Sequence, residues 1–170
     1  MRTSRMLKTV VLVAALLCPV LAQAGNTLTI EPQFALGIPM DDWADGAGLG
    51  LGGMVKVEFA VLDTIGVGFR AGYIHHLEKN DITWGVIPLV VSGKYKTPFG
   101  LFGELGLGMF VHRVDTPMGD DSKSKFGFTV GVGFELLDFS VAANFWAPKS
   151  DDMDKIIGLL FTVGYRIGLF

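Results

Sequence analysis

The chain has 170 residues, half of them hydrophobic, with a mean hydropathy of +0.46 and a formal charge of −3. That length sets one domain, and that hydropathy calls for a membrane or an unusually large core. Beyond the N-terminal segment no apolar run approaches the roughly 20 residues of a spanning helix. A helical membrane protein is therefore excluded, and an acidic chain gives no electrostatic support for nucleic-acid binding.

Residues 1–24 read as a secretory signal peptide. Arg2, Arg5 and Lys8 form a basic start, Val10 to Leu17 an apolar core, and Ala22-Gln23-Ala24 a small-x-small cleavage site. The mature chain is expected to begin at Gly25, with one barrel domain over residues 25–170. Cleavage removes three cations and no acids, leaving 11 Lys and Arg against 17 Asp and Glu, a formal charge of −6. The only cysteine, Cys18, lies in the leader, so no disulfide is expected. Leu17 before it and Pro19 after it do not suit a lipoprotein site.

After Gly25 the pattern alternates with period two and shows no helical period. Thr27 to Gly37 places Leu28, Ile30, Phe34 and Leu36 on one face and Glu31 and Gln33 on the other. An Asp-rich loop containing Trp43 follows. Gly46 to Phe59 sets Leu49, Leu51, Val55, Val57 and Phe59 against glycines, Met54, Lys56 and Glu58. After a turn at Asp63, Ile65 to Ile74 sets Ile65, Val67, Phe69 and Tyr73 against Gly66, Gly68, Arg70 and Gly72. His75 to Asp81 reads as a loop.

Ile82 to Tyr95 carries Ser92 and Lys94 on its polar face, and Lys96-Thr97-Pro98 turns into Leu101 to Arg113, where Glu104 and His112 share the polar face. Asp115 to Lys125 reads as the longest loop. Phe126 to Leu136 alternates strictly, with Glu135 on its polar side. A turn at Leu137-Asp138 leads to Phe139 to Trp146, and the loop Pro148 to Lys155 leads to Ile156 to Phe170. This last stretch sets Leu159, Phe161, Val163, Tyr165, Ile167 and Leu169 against Gly158, Thr162, Gly164, Arg166 and Gly168.

An apolar outer face backed by glycine, hydroxyl and charge suits lipid outside and a packed polar lumen inside. Open sheet edges are not tolerated in hydrocarbon, so the strands must close. Eight strands with alternating long and short connections read as an all-β, eight-stranded antiparallel up-and-down transmembrane β-barrel. The segments VEFAVLDTIGVGF and VGFELLDFSVAAN look alike, which reads as repeated hairpin chemistry. Tyr73 and Trp84 fall at the outer interface and Tyr95, Phe99 and Phe139 at the inner one, as girdle residues.

The polar faces collect four acids, Glu31, Glu58, Glu104 and Glu135, and four bases, Lys56, Arg70, Lys94 and Arg166. A barrel of eight strands is just wide enough to be filled by side chains, and unpaired charges inside would be costly. The eight are expected to form a lumen salt-bridge network that seals the barrel. A slip of one residue in any strand would turn its charges outward.

The chain resembles the small bacterial outer-membrane β-barrel proteins, the eight-stranded OmpX-like and OmpA-transmembrane-like kind. The resemblance covers Thr27 to Phe170. It is carried by the leader, the strand number, the loop alternation, glycine-rich inward faces such as GLFGELGLGMF, and the aromatic C-terminus. It implies a monomer in the outer membrane whose partners are outer-membrane lipid, lipopolysaccharide and, during biogenesis, the barrel-assembly machinery. Phe170 departs from the family's C-terminal signal by lying out of phase with Leu169, Ile167 and Tyr165.

No catalytic residue, cofactor or metal site is expected. His75 and His76, beside Glu78 and Asp81, and His112 near a strand end read as solvated residues. A lipid A acyltransferase or deacylase is the enzyme alternative, needing His112 or His75 with Ser122, Ser124 or Asp115, and no motif of either enzyme is present. Asp41-Asp42, Asp120-Asp121 and Asp151-Asp152 read as solvated loop tips. A narrow channel, or a lipocalin-like carrier, would want an apolar lumen. The expected role is therefore structural or interactive at the cell surface.

Overall fold

The computed structural model describes residues 28–79, 82–116, 119–148 and 157–169. The leader and its cleavage site lie outside the described residues, as do Asp81, Asp151, Asp152 and Phe170. The strands are β1 (Leu28–Met40), β2 (Gly50–Leu62), β3 (Ile65–Lys79), β4 (Ile82–Lys96), β5 (Leu101–Thr116), β6 (Gly119–Leu136), β7 (Phe139–Pro148) and β8 (Ile157–Tyr165), followed by a two-residue β9 (Ile167–Gly168). One short helix, α1 (Trp43–Gly46), sits between β1 and β2. From β1 to β8 each strand pairs antiparallel with the next, and β1 pairs with both β2 and β8, which closes the sheet into an eight-stranded barrel; β9 pairs with β1.

The alternation explains the faces. On β5 the outward positions from Leu101 to Val111 are Leu101, Gly103, Leu105, Leu107, Met109 and Val111. Ten residue steps at about 3.4 Å, tilted by about 40°, cover about 25 Å, the height of an outer-membrane apolar band. Leu105, Leu107 and Val132 are 65, 59 and 62 % exposed. Side chains of that kind all round a barrel need a non-aqueous surrounding.

Several sequence expectations change. The stretches His75 to Asp81 and Asp115 to Lys125 are not loops among the described residues. β3 runs on to Lys79, β5 to Thr116, and β6 begins at Gly119, with Thr116 opposite Gly119. Beyond the lipid the outward face meets water and carries polar side chains as the inward face does, so the chain stays paired while its hydrophobic alternation disappears. The Asp-rich loop contains α1, whose Ala47 N–H donates to Trp43 O at 3.0 Å.

The final strand is also interrupted. Thr29 and Ile30 pair with Gly168 and Ile167 in the same register that β8 keeps with β1. In that register Tyr165 falls opposite Pro32, which has no N–H to give. On its other edge the chain stays tied to the turn before β7, Arg166 N–H donating to Asp138 O at 2.6 Å.

Candidate functional site: the filled lumen

Inward side chains fall into two tiers. The tier nearer the short turns is ionic, and all eight charges named from the sequence point into it. Glu104 accepts from Lys56 and, at 2.9 Å, from Arg70 Nη2. Lys56 also reaches Glu58 at 2.9 Å. Lys94 bridges Glu58 and Glu135, the latter at 2.6 Å. Arg166 donates to Glu135 at 2.6 Å and lies 3.7 Å from Glu58 and 3.9 Å from Glu31. Glu31 is completed by Gln33 Nε2 at 2.6 Å and by the Ser140 hydroxyl.

Two members of this tier were not legible as such. Lys96 turns back to Glu135 at 3.2 Å, although it sits in a tight-turn tripeptide. Phe102 lies under the ammonium groups, with Lys94 Nζ 5.3 Å and Lys56 Nζ 5.9 Å from its ring centre. Glycine makes the room: a methyl at Gly68 would come within 3.0 Å of Lys56 Cε. With Lys96 included, five cations meet four carboxylates, and each carboxylate has at least one cationic neighbour within 4 Å.

The tier at the other mouth is aromatic, and the sequence reading missed it. Trp43, 4 % exposed, hangs from α1 into the barrel. Its ring centre lies 4.6 Å from His76, 5.6 Å from Trp146, 6.1 Å from His112 and 6.3 Å from Trp84. Phe110 packs edge-on against Trp146 at 5.4 Å. All three tryptophans of the chain are in this cluster. The α1 segment is moored to one hairpin: Trp84 Nε1 donates to Gly46 O at 3.0 Å, His76 Nδ1 to Gly48 O at 2.9 Å, and Lys79 Nζ to Ala44 O.

This corrects the reading of three residues. His76 and His112 are buried in the lumen, at 0 and 2 % exposure, and are not solvated. Trp84 is no girdle residue; it faces inward, whereas Tyr73, Tyr95, Phe99 and Phe139 are exposed as expected. A parity argument would have placed His76 inward with Arg70 and Ile74 had β3 been extended. Gly50 belongs to the same fit, since a methyl there would meet His76 Cε1 at 2.7 Å.

The acyl-transfer constellation is not assembled. His112 faces the lumen opposite Lys123, while Ser122 and Ser124 are exposed on the other face of β6. His75 and Asp115 are exposed on outward positions of β3 and β5. Among the described residues no three His, Cys, Asp or Glu side chains are grouped to hold a metal ion.

No family model matches the sequence, and no curated protein is significantly similar to it. Solved structures are similar in fold. The N-terminal β-barrel domain of Pseudomonas aeruginosa OprF superposes with a TM-score of 0.59 at 12 % identity, over 84 % of this chain and 99 % of that one. Neisserial surface protein A gives 0.58 at 12 % identity, over 86 and 98 %. The Yersinia pestis outer membrane protein Ail in a phospholipid nanodisc gives 0.57 at 15 %, over 84 and 99 %. Closure and strand number agree with these likenesses: the chain has the fold of the small eight-stranded outer-membrane β-barrels.

Proposed function

We propose that this protein is a sealed outer-membrane β-barrel of bacteria, with a structural or surface-interaction role carried by the hairpins beyond the lipid. The observation that carries this reading is the double closure of the lumen, ionic at one end and aromatic at the other. A lumen in which Lys56, Arg70, Glu104, Phe110 and Trp146 are all buried leaves the exterior and the hairpins as the surfaces on which the protein can act. In this reading residues 1–24 are removed near Ala24, the short turns face the periplasm and the aromatic mouth faces out. Lipopolysaccharide and outer-membrane lipid surround a monomer, which the barrel-assembly machinery inserts.

Cell fractionation combined with gel mobility tests the reading. The protein is expected in the outer-membrane fraction, starting at Gly25 and migrating differently before and after boiling. A soluble periplasmic protein with an unchanged mobility would overturn it.

A further inference from the structure

The aromatic mouth is closed by a part that is not a strand. α1 has four residues, its N-cap Asp42 makes no side-chain cap hydrogen bond, and the preceding Asp41 has a left-handed φ of 55°. It enters the barrel through one side chain, Trp43, and is moored to the β3–β4 hairpin by three side chains, one of which is His76.

The two histidines against Trp43 are arranged for the neutral state. Gly48 O can only accept, so His76 carries its proton on Nδ1 and presents a bare Nε2 to the lumen. His76 Nε2, both nitrogens of His112 and Trp43 Nε1 have no hydrogen-bond partner among the described residues. A second proton on either ring would be a buried charge with no acceptor, which is costly unless the group reaches water.

Charges among the described residues around the pair do not offer that compensation. Asp41 and Asp42 beside α1, Asp45 within it and Glu78 on β3 are exposed, as are Asp115 on β5 and Asp121 on β6. None of Asp41, Asp42, Glu78, Asp115 or Asp121 forms an ion pair with either ring; Asp121 pairs with Lys123. The neighbours that do act on the rings are basic and oppose a further proton, Lys125 on His112 and His75 on His76. Lys79 is engaged with Ala44 O, and Arg113 and Lys123 are exposed. At this level β1, β2, β4, β7 and β8 supply only uncharged side chains.

We propose that Trp43 is a releasable plug, unseated when His76 and His112 take up protons. Release exposes the imidazolium rings to water, opens the outer mouth and leaves the strand ladder and the ionic tier in place. The device is an acid-sensitive lid on the exterior half of the lumen.

Because all three tryptophans lie in the cluster, their fluorescence reads it directly. The refolded full barrel in lipid is taken from about pH 7.5 to about pH 4.5, spanning the histidine range. Emission is expected to shift to the red and acrylamide quenching to rise several-fold, with the β circular dichroism retained. A seated imidazolium could dim the tryptophans but would produce neither change. The double variant His76→Gln, His112→Gln is expected to lose the response.

A second measurement keeps the histidines intact. Ala47 is buried next to the plug, so Ala47→Cys should be labelled by a thiol reagent several-fold faster in acid. The rate is taken relative to exposed Asp42→Cys, which corrects for the loss of thiolate. An acid response that survives in the double variant, or an unchanged labelling ratio, would overturn the proposal.

Discussion

Glu104→Ala is expected to cost about 3–5 kcal/mol of stability, because it strands the buried Arg70 and takes one of two carboxylates from the buried Lys56. Lys56 and Arg70 both close on the Glu104 carboxylate, and each of the three is at most 3 % exposed. Lys56 keeps Glu58, but Arg70 loses the one carboxylate it contacts among the described ion pairs. Asp121→Ala is the contrasting case. Its pair with Lys123 is 3.4 Å long with both side chains about two-thirds exposed, so its loss should cost about 0–1 kcal/mol. Urea unfolding of both variants in lipid vesicles, followed by tryptophan emission, measures the difference. Equal costs would mean that the inner tier is hydrated and not sealed.

Val130→Arg is expected to cost about 2–4 kcal/mol in the same assay. Val130 stands outward between Leu105 of β5 and Phe145 of β7, near the middle of the apolar band from Phe126 to Leu136. Phe99→Arg, at the short turn before β5, lies at the edge of that band and should cost about 0–1 kcal/mol. A depth-dependent penalty requires lipid around the barrel and fixes the register of β6. Equal penalties at the two positions would place Val130 in a polar surrounding.

The strand faces were readable because lipid outside and charge inside force a period of two. Glu31, Lys56, Glu58, Arg70, Lys94, Glu104, Glu135 and Arg166 all follow from that parity. What was not readable lay where the period stops carrying information. Lys96 belongs to the ionic tier, yet its neighbours Thr97 and Pro98 mark a turn, and only the backbone's path returns its ammonium to Glu135. Trp43 sits among Asp41, Asp42 and Asp45, a composition that reads as solvated loop. Its burial depends on α1 folding back onto Trp84, His76 and Lys79, contacts that are distant in sequence. His76 was lost with the end of β3, since His75, Glu78 and Lys79 hide a strand whose two faces are both polar beyond the lipid.

The central claim is that side chains seal this barrel from end to end, and ion conductance of the refolded protein in a planar bilayer at neutral pH tests it most directly. With Trp43 seated and the ionic tier paired, insertion events should leave the membrane without a steady current. A stable, reproducible single-channel conductance from the intact protein would contradict the sealed lumen and make transport, and not surface interaction, its role.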